Sequence, residues 1–393
     1  MINTNQIHKE LSNSNIKITR LCHKLLDDNF LNANGRIKEE LKFKINNPIQ
    51  KIQNSKFIGK PEDTFETMLF LPPGEGRQGE GGLRTKGYFK HSYKLVDGKW
   101  FIADSDNNPV IPAPEDIQSK IKQYLSSTAQ HQTPITYLPL ITVITVVYNG
   151  AKYLEETILS VINQTYPNVE YIIIDGGSTD GTPDIIKKYE DYIDYWVSEK
   201  DKGIYDAMNK GIDLANGEWI NFMNAGDGFY SKQTLLSVST QLDKKYAVIA
   251  GCVNYIFSKN RQKIKFLKNK LGPFNIRFSH HQSSFIRVDL IKKYKYNDKF
   301  KIRGEIDFFA KIYTNGGNWH KISDVIANYN TNGVSSSISF RHFIEEIHIG
   351  KQYLKFFPLQ HILYYVFYVI PRFLIRKILP SKIVNILRVW FSR

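Results

Sequence analysis

Cysteine is nearly absent: Cys22 and Cys252 are the only two in 393 residues. Thiols so far apart in sequence suggest neither a disulfide framework nor a zinc site, and a reducing cytosol is the natural setting. The N-terminus, Met-Ile-Asn-Thr-Asn-Gln-Ile-His, has no apolar signal-peptide core, so export is not expected. No apolar run reaches the ~20 residues that span a bilayer. The best candidate, His361 to Ile370, is interrupted by Pro371-Arg372. Internal repeats at periods of about 20–50 residues are also missing, which leaves domains rather than a repeat array. Glycine is dense only from Gly74 to Gly82, without the spacing or the Lys-Ser/Thr ending of a phosphate-binding P-loop. No G-x-G-x-x-G follows the first long strand, which argues against a dinucleotide oxidoreductase.

Acidic residues are outnumbered, 38 against 53 basic ones, for a net charge of +15. The surplus is concentrated: Phe257 to Arg303 holds 14 Lys/Arg against 2 Asp/Glu, and Phe340 to Arg393 holds 9 against 2. Such blocks favour polyanions, whether phosphates, anionic lipid or nucleic acid. Phe266, Phe274, Phe278 and Tyr294 are interspersed in the first block, but no aromatic-rich RNP strand accompanies them, so nucleic acid is not the expected partner. Beyond Pro371, Phe373, Leu374, Ile378, Leu379, Ile383 and Trp390 alternate with Arg372, Arg376, Lys377, Lys382 and Arg388. That composition suits an amphipathic helix in an anionic membrane interface.

Three regions follow. Residues 1–135 form an accessory region in which the Gly-rich segment reads as a loop, with Arg77, Arg84 and Lys86 beside it to suit an anion-binding nest. Within it, Ser92 to Val96 and Lys99 to Ala103 flank Asp97-Gly98 as a hairpin. A Pro-rich linker lies near 126–139. Residues 136–340 alternate strand and helix, and residues 341–393 form the basic tail. Leu140 to Val147 is the apolar, β-branched run of a strand buried on both faces. Gly150 opens a helix, Val169 to Ile174 is a second strand, and Thr182-Pro183 starts another helix as N-cap and first-turn proline. Tyr192 to Val197 is a short strand. The stripe Ile204, Ala207, Met208, Gly211, Ile212, Ala215 predicts a helix closed by Asn216-Gly217, and Trp219 to Met223 and Tyr246 to Val253 are further strands.

Polar groups stand at the strand ends, where open α/β sheets bind ligands. Tyr148-Asn149 ends one strand, Asp175-Gly176-Gly177 a second, and Asn224-Ala225-Gly226-Asp227 a third. Asp175 can accept hydrogen bonds from a base or ribose, and Asp227 offers a hard oxygen ligand for Mg²⁺ or Mn²⁺. Asp180 reads as a structural turn residue.

Thr145-Val146-Val147-Tyr148-Asn149 and Ile174-Asp175-Gly176-Gly177-Ser178-Thr179-Asp180-Gly181-Thr182 resemble the opening motifs of family 2 glycosyltransferases, which have the GT-A fold. Asp201-Lys202-Gly203-Ile204-Tyr205-Asp206-Ala207-Met208-Asn209-Lys210-Gly211 resembles the segment that follows. The resemblance covers about residues 138–335 and is closest to bacterial surface-polysaccharide members. It implies an α/β, mixed but mainly parallel sheet flanked by helices. Asn224 to Asp227 stands where the family carries its DxD-type metal motif, with Asn224 and Gly226 where acidic residues often stand. The donor would be a nucleotide-diphosphate sugar, a UDP-sugar favoured, bordered by Thr145, Tyr148, Asn149, Asp175, Gly176, Asp206, Lys210, Asn224 and Ala225. His281 and Gln282 look like acceptor-side residues. Glu305 matches the family's base position, and Asp307 is the fallback. The implied protein is an inverting, metal-using transferase at the cytoplasmic face of the membrane, acting on a lipid-linked or glycan acceptor. Two other classes stay open: a nucleotidyltransferase, and a basic nucleic-acid or polysaccharide-binding protein that kept the fold.

Overall fold

The computed structural model describes residues 68–104, 106–127, 134–258, 261–265, 280–330, 340–353 and 357–371, together with 23–24, 374 and 378–379. Residues 1–22 and 25–67, and most of the apolar–basic pattern beyond Arg372, lie outside these residues.

The first finding overturns an expectation. Within the Gly-rich segment, Gly79–Gly81 (β1) is a strand, paired antiparallel to the edge of the main sheet. Glycine is required there because Trp196 lies against it. A Cβ on Gly79 or Gly81 would stand 2.9 or 2.6 Å from the indole ring. Nor do the neighbouring arginines form an anion nest. Arg84 is 1% exposed and meets Glu170, 2% exposed, at 2.6 Å. It also donates to the Leu69 and Leu214 carbonyls. Removing one partner from such a buried pair costs about 3–5 kcal/mol.

Ser92–Val96 (β2) and Lys99–Ala103 (β3) form the expected hairpin, with Asp97 and Gly98 both at positive φ, 47° and 78°. Pro109–Pro112 (β4) and Tyr137–Leu138 (β5) complete a small antiparallel sheet in the order β4-β3-β2-β5. Glu115–Ser127 (α1) lays Ile117, Ile121 and Tyr124 on it, and their cluster runs on into the main core. The described part of region 1–135 is therefore built into the same body as the α/β region.

The α/β region opens with Ile141–Val147 (β6), all seven residues buried. Ala151–Ile162 (α2), Val169–Asp175 (β7) and Thr182–Lys188 (α3) follow. Gly181, at φ 87°, is the N-cap of α3 rather than Thr182, whose hydroxyl is spent on Asp180. Tyr195–Ser198 (β8) starts later than expected because Glu190–Tyr192 closes a 3₁₀ turn. Ile204–Leu214 (α4) ends before Asn216, whose backbone N–H is held by Glu170. Next come Trp219–Phe222 (β9), Gly228–Phe229 (β10), Thr234–Ser239 (α5), Val248–Ser258 (β11) and Arg261–Lys265 (β12). Ser284–Arg287 (β13), Val288–Tyr294 (α6), Gly304–Thr314 (α7) and Trp319–Asn330 (β14) complete it.

The sheet order is β10-β14-β11-β13-β9-β6-β7-β8-β1, with β12 beside β11. The block β9-β6-β7-β8 is parallel, as is the long β11–β14 ladder, so the pairing is mixed but mainly parallel. Strand periodicity splits the core. Ile144, Val146, Ile172 and Ile174 face Met208 and Ile212 of α4, whereas Val143, Val147, Tyr171 and Ile173 face Leu154 and Ile158 of α2. Both faces are thus covered, and the carboxyl ends of β6, β7 and β9 lie along one edge.

Phe340–Tyr353 (α8) and Phe357–Tyr364 (α9) follow, the latter continuing through a π turn at Tyr365–Val369. The start of the tail is not a free amphipathic helix. Glu345 of α8 accepts the backbone N–H groups of Lys301, Ile302 and Arg303, and Glu346 pairs with Arg303 at 2.8 Å. Beyond it, Leu359, Leu363, Val366, Phe367 and Ile370 are exposed. Among the described residues no helix is long and apolar enough to cross a membrane.

Candidate functional site

Two clusters of polar side chains sit at the carboxyl ends of the parallel strands. In the first, the chain leaves β6 through Asn149, at φ 48°. Its amide oxygen accepts the Thr179 N–H at 2.9 Å, and its own N–H donates to the Ser178 hydroxyl at 2.7 Å. Asp175, fully buried, accepts from the N–H and hydroxyl of Ser178 and from the Ser198 hydroxyl. Its carboxylate therefore organises the loop from beneath. Thr145 is also fully buried, bonded to the Met223 carbonyl and the Tyr171 hydroxyl, so its side chain does not reach the surface. Tyr148, 68% exposed, does. Gly176 lies between Tyr148 and Asp201: a Cβ there would stand 3.3 Å from the tyrosine ring and 3.1 Å from Asp201 Oδ2.

Asp201 and Glu199 are residues to which sequence reasoning assigned no role. Lys210 Nζ is 2.5 Å from Asp201 and 2.8 Å from Glu199, with Asp206 at 3.9 Å. Asp206 itself accepts the Lys202 N–H before α4. Burial pushes Asp201 up to about 6, against the pull of its bond to Lys210. The available signal was position: Ser198-Glu199-Lys200-Asp201 directly follows the apolar run of β8.

The second cluster joins residues from three separate motifs. Asn221 on β9 donates to the Gln282 and Ser284 carbonyls, which fixes the 3₁₀ turn His281–Ser283 beside the acidic turn. Thr157 of α2 pins that turn from the other side, donating to the Asp227 carbonyl at 2.6 Å and accepting from the Gly226 N–H. Ala225 contributes backbone only, its N–H reaching the Val146 carbonyl. Asn224 Nδ2 lies 3.0 Å from His281 Nε2, and His281 Nδ1 lies 2.7 Å from Glu305 Oε2. With the Asn224 amide donating to Nε2, the imidazole proton sits on Nδ1 and points at Glu305. Gln282 Nε2 donates to Asp227 Oδ2 at 2.7 Å, and the Asn330 N–H donates to Oδ1.

Electrostatics separate the two carboxyls. Burial pushes Asp227 up to about 6, opposed by its bonds from Gln282 and the Asn330 N–H. Burial also raises Glu305, but the His281 hydrogen bond and the Arg303 charge are among the effects that outweigh it and hold that carboxyl at about 2. The first turn of α7 favours the anion as well. Because the folded value lies below the ordinary 4.5, Glu305 adds stability that is complete above that value and lost as pH falls towards 2. Urea unfolding should therefore lose more stability between about pH 5 and pH 3 in the wild type than in Glu305→Gln. Equal losses would contradict the assignment.

Asp307, the fallback base, is corrected by the structure. It is fully buried on the opposite face of α7, paired with Lys311 at 2.7 Å and with the Tyr353 hydroxyl of α8 at 2.9 Å. It joins two helices and does not reach the cluster.

Among the described residues no group of three or more His, Cys, Asp or Glu gathers as a metal cage. The donors around Asp227 nevertheless suit a hard cation. The Asn224 Oδ1 and Gln282 Oε1 atoms are buried and have no hydrogen-bond partner. One carboxylate and two unpartnered amide oxygens are donors of the hard, all-oxygen kind that Mg²⁺ and Mn²⁺ accept.

Residues 142–306 match the family described as Glycosyl transferase family 2. An uncharacterized glycosyltransferase of Mycobacterium tuberculosis is 31% identical over 188 residues, covering 45% of this chain and 70% of the relative. The chain belongs to glycosyltransferase family 2. A PGL/p-HBAD biosynthesis glycosyltransferase of M. tuberculosis is 28% identical over 224 residues, 53% of this chain and 84% of the relative. Among solved structures, S. aureus TarS 1-349 in complex with UDP-GlcNAc is similar at 20% identity and TM-score 0.46, covering 54% of this chain and 66% of that one. As a family 2 glycosyltransferase, the chain keeps its matched segment on the parallel strands and both clusters. The segment reaches Glu305 but excludes Arg77 and α8.

Proposed function

We propose that this family 2 glycosyltransferase moves a sugar, with inversion, from a nucleotide-diphosphate donor to a hydroxyl of a lipid-linked or glycan acceptor. A UDP-sugar is the favoured donor. The observation that carries the reading is the convergence of Asn224, Asp227, His281, Gln282 and Glu305, from three distant motifs, on one cluster beside the Tyr148–Gly176–Asp201 cleft.

Tyr148, Gly176 and Asp201 border the nucleoside, and Lys210 carries positive charge towards the diphosphate. Asp227, Asn224 and Gln282 would hold Mg²⁺ or Mn²⁺, which neutralises charge developing on the leaving diphosphate. Glu305 takes the proton of the acceptor hydroxyl as that oxygen attacks the anomeric carbon. At about 2 its carboxyl is a weak base while His281 donates to it. Acceptor binding that displaces the His281 N–H from Oε2 makes it stronger. Until then His281, held by Asn224, orients the carboxylate and does not itself enter the reaction. Direct displacement requires no covalent sugar–enzyme intermediate.

The test is release of nucleoside diphosphate from a panel of UDP- and GDP-sugars with Mn²⁺. Turnover with one nucleotide class is expected, and an inert panel, together with tight salt-sensitive RNA binding, would move the reading to a binding protein.

The exposed apolar residues of α9 and its π turn, within the sequence's last basic block, support a peripheral place on the inner face of the membrane. Vesicles rich in anionic lipid should co-sediment the full chain but not one lacking residues 361–393. Unchanged partitioning would sink this reading.

A further inference from the structure

The described Gly-rich segment, Leu71 to Gly82, lies outside the family match yet is stitched to the cleft edge. Gln78 N–H donates to the Ser198 carbonyl at 2.8 Å and Lys200 N–H to the Glu75 carbonyl at 3.2 Å. At its centre stands Arg77. Its Nε and Nη2 reach Glu199 Oε2 at 2.8 and 2.6 Å, its Nη1 reaches Glu80 at 2.6 Å, and it also donates to the Leu71 and Pro72 carbonyls. A Cβ on Gly74 would stand 2.3 Å from the Glu199 carboxylate, so any larger residue there must displace it. The other oxygen of Glu199, Oε1, holds Lys210 at 2.8 Å, and Lys210 holds Asp201. Asp201 in turn lies against Gly176.

We infer that Arg77 is a positioning residue of the donor site: acting through Glu199, it sets where Lys210 and Asp201 stand at the cleft, and the Gly-rich segment exists to deliver it. The inference rests on the donor-site reading above. Its physical basis is charge sharing. Glu199 is 4% exposed and lies between two cations, Arg77 on one oxygen and Lys210 on the other. Without the guanidinium, Glu199 draws Lys210 towards itself and away from Asp201. Two guanidinium N–H groups converge on the one oxygen Oε2 in a rigid geometry that a lysine ammonium does not reproduce. The effect on ligand is therefore indirect and must vanish when Lys210 is gone.

The experiment is a thermodynamic cycle on the full chain, read by calorimetric titration of whichever of UDP and GDP the wild type binds, with Mn²⁺ present. Arg77→Gln should raise the dissociation constant by about tenfold, as should Lys210→Gln, while the double variant should be no weaker than Lys210→Gln alone. Arg77→Lys should recover only part of the loss. Gly74→Ala, which keeps every charge but displaces Glu199, should show the same weakening and serves if Arg77→Gln does not fold. Arg77→Gln with wild-type affinity, or losses that add in the double variant, would overturn the inference while leaving the donor site standing. A wild type that binds neither nucleotide would overturn the donor-site reading and this inference with it.

Discussion

Replacing Glu305 by glutamine is expected to lower kcat/KM by about 10²–10⁴-fold, the range that general-base catalysis spans, with nucleotide affinity changed by less than about twofold. The amide keeps the size of the carboxylate and can still meet His281, so the fold around α7 should survive. What it loses is the ability to accept the acceptor's proton. Asp307→Asn is the matched control. Asp307 is fully buried between Lys311 and Tyr353, so this change should cost stability through α7 and α8 and leave kcat of the folded fraction close to wild type. A variant series in which Asp307→Asn is the inactive one would reverse the assignment.

Asp227→Asn should remove the metal-dependent part of nucleotide binding and reduce transfer to below about 1% of wild type, since charge on the departing diphosphate is then no longer neutralised. Asparagine keeps one acceptor oxygen for the Asn330 donor, and Gln282 can turn its unpartnered amide oxygen to the new NH₂, which keeps the acidic turn in place. Chelating divalent ions in the wild type should copy the variant, and chelation should have little further effect on Asp227→Asn. Because Asn224 and Gln282 bring neutral oxygens only, this carboxylate is the one anionic ligand of the proposed set, and its loss should not be rescued by excess Mn²⁺. Full turnover of Asp227→Asn with Mn²⁺ would contradict the metal role.

What was legible in the sequence was what short-range patterning dictates. The buried run of β6, the Asp97-Gly98 hairpin and the striped helix α4 all follow from periodicity and turn chemistry within a few residues. The strand-end groups Asp175 and Asp227 were found because a parallel sheet exposes them to one edge. Three things needed the folded chain. Arg77 meets Glu199 across 122 residues, a pairing that no local spacing encodes. Gly79 and Gly81 read as loop because nothing in the neighbouring sequence announces that Trp196 will lie on them. Choosing Glu305 over Asp307 depends on helix phase: residues two apart in a helix do not share a face. The apolar stripe of Ile306, Phe309 and Ala310 that sets the phase was present in the sequence, but which face met the cleft was not. Asp175 shows the reverse case. Its position was read correctly as a strand end, yet Ser178 and Ser198 take up its carboxylate, so the proposed donor site rests on Tyr148, Gly176 and Asp201 instead.

The measurement that bears most directly on the account is calorimetric titration of UDP and GDP into the wild-type full chain, with Mn²⁺ and with chelator. One nucleotide should bind, at least about tenfold more tightly with Mn²⁺ than without. No heat from either nucleotide under either condition would contradict the account, leaving a family 2 fold without the donor site argued from its strand ends.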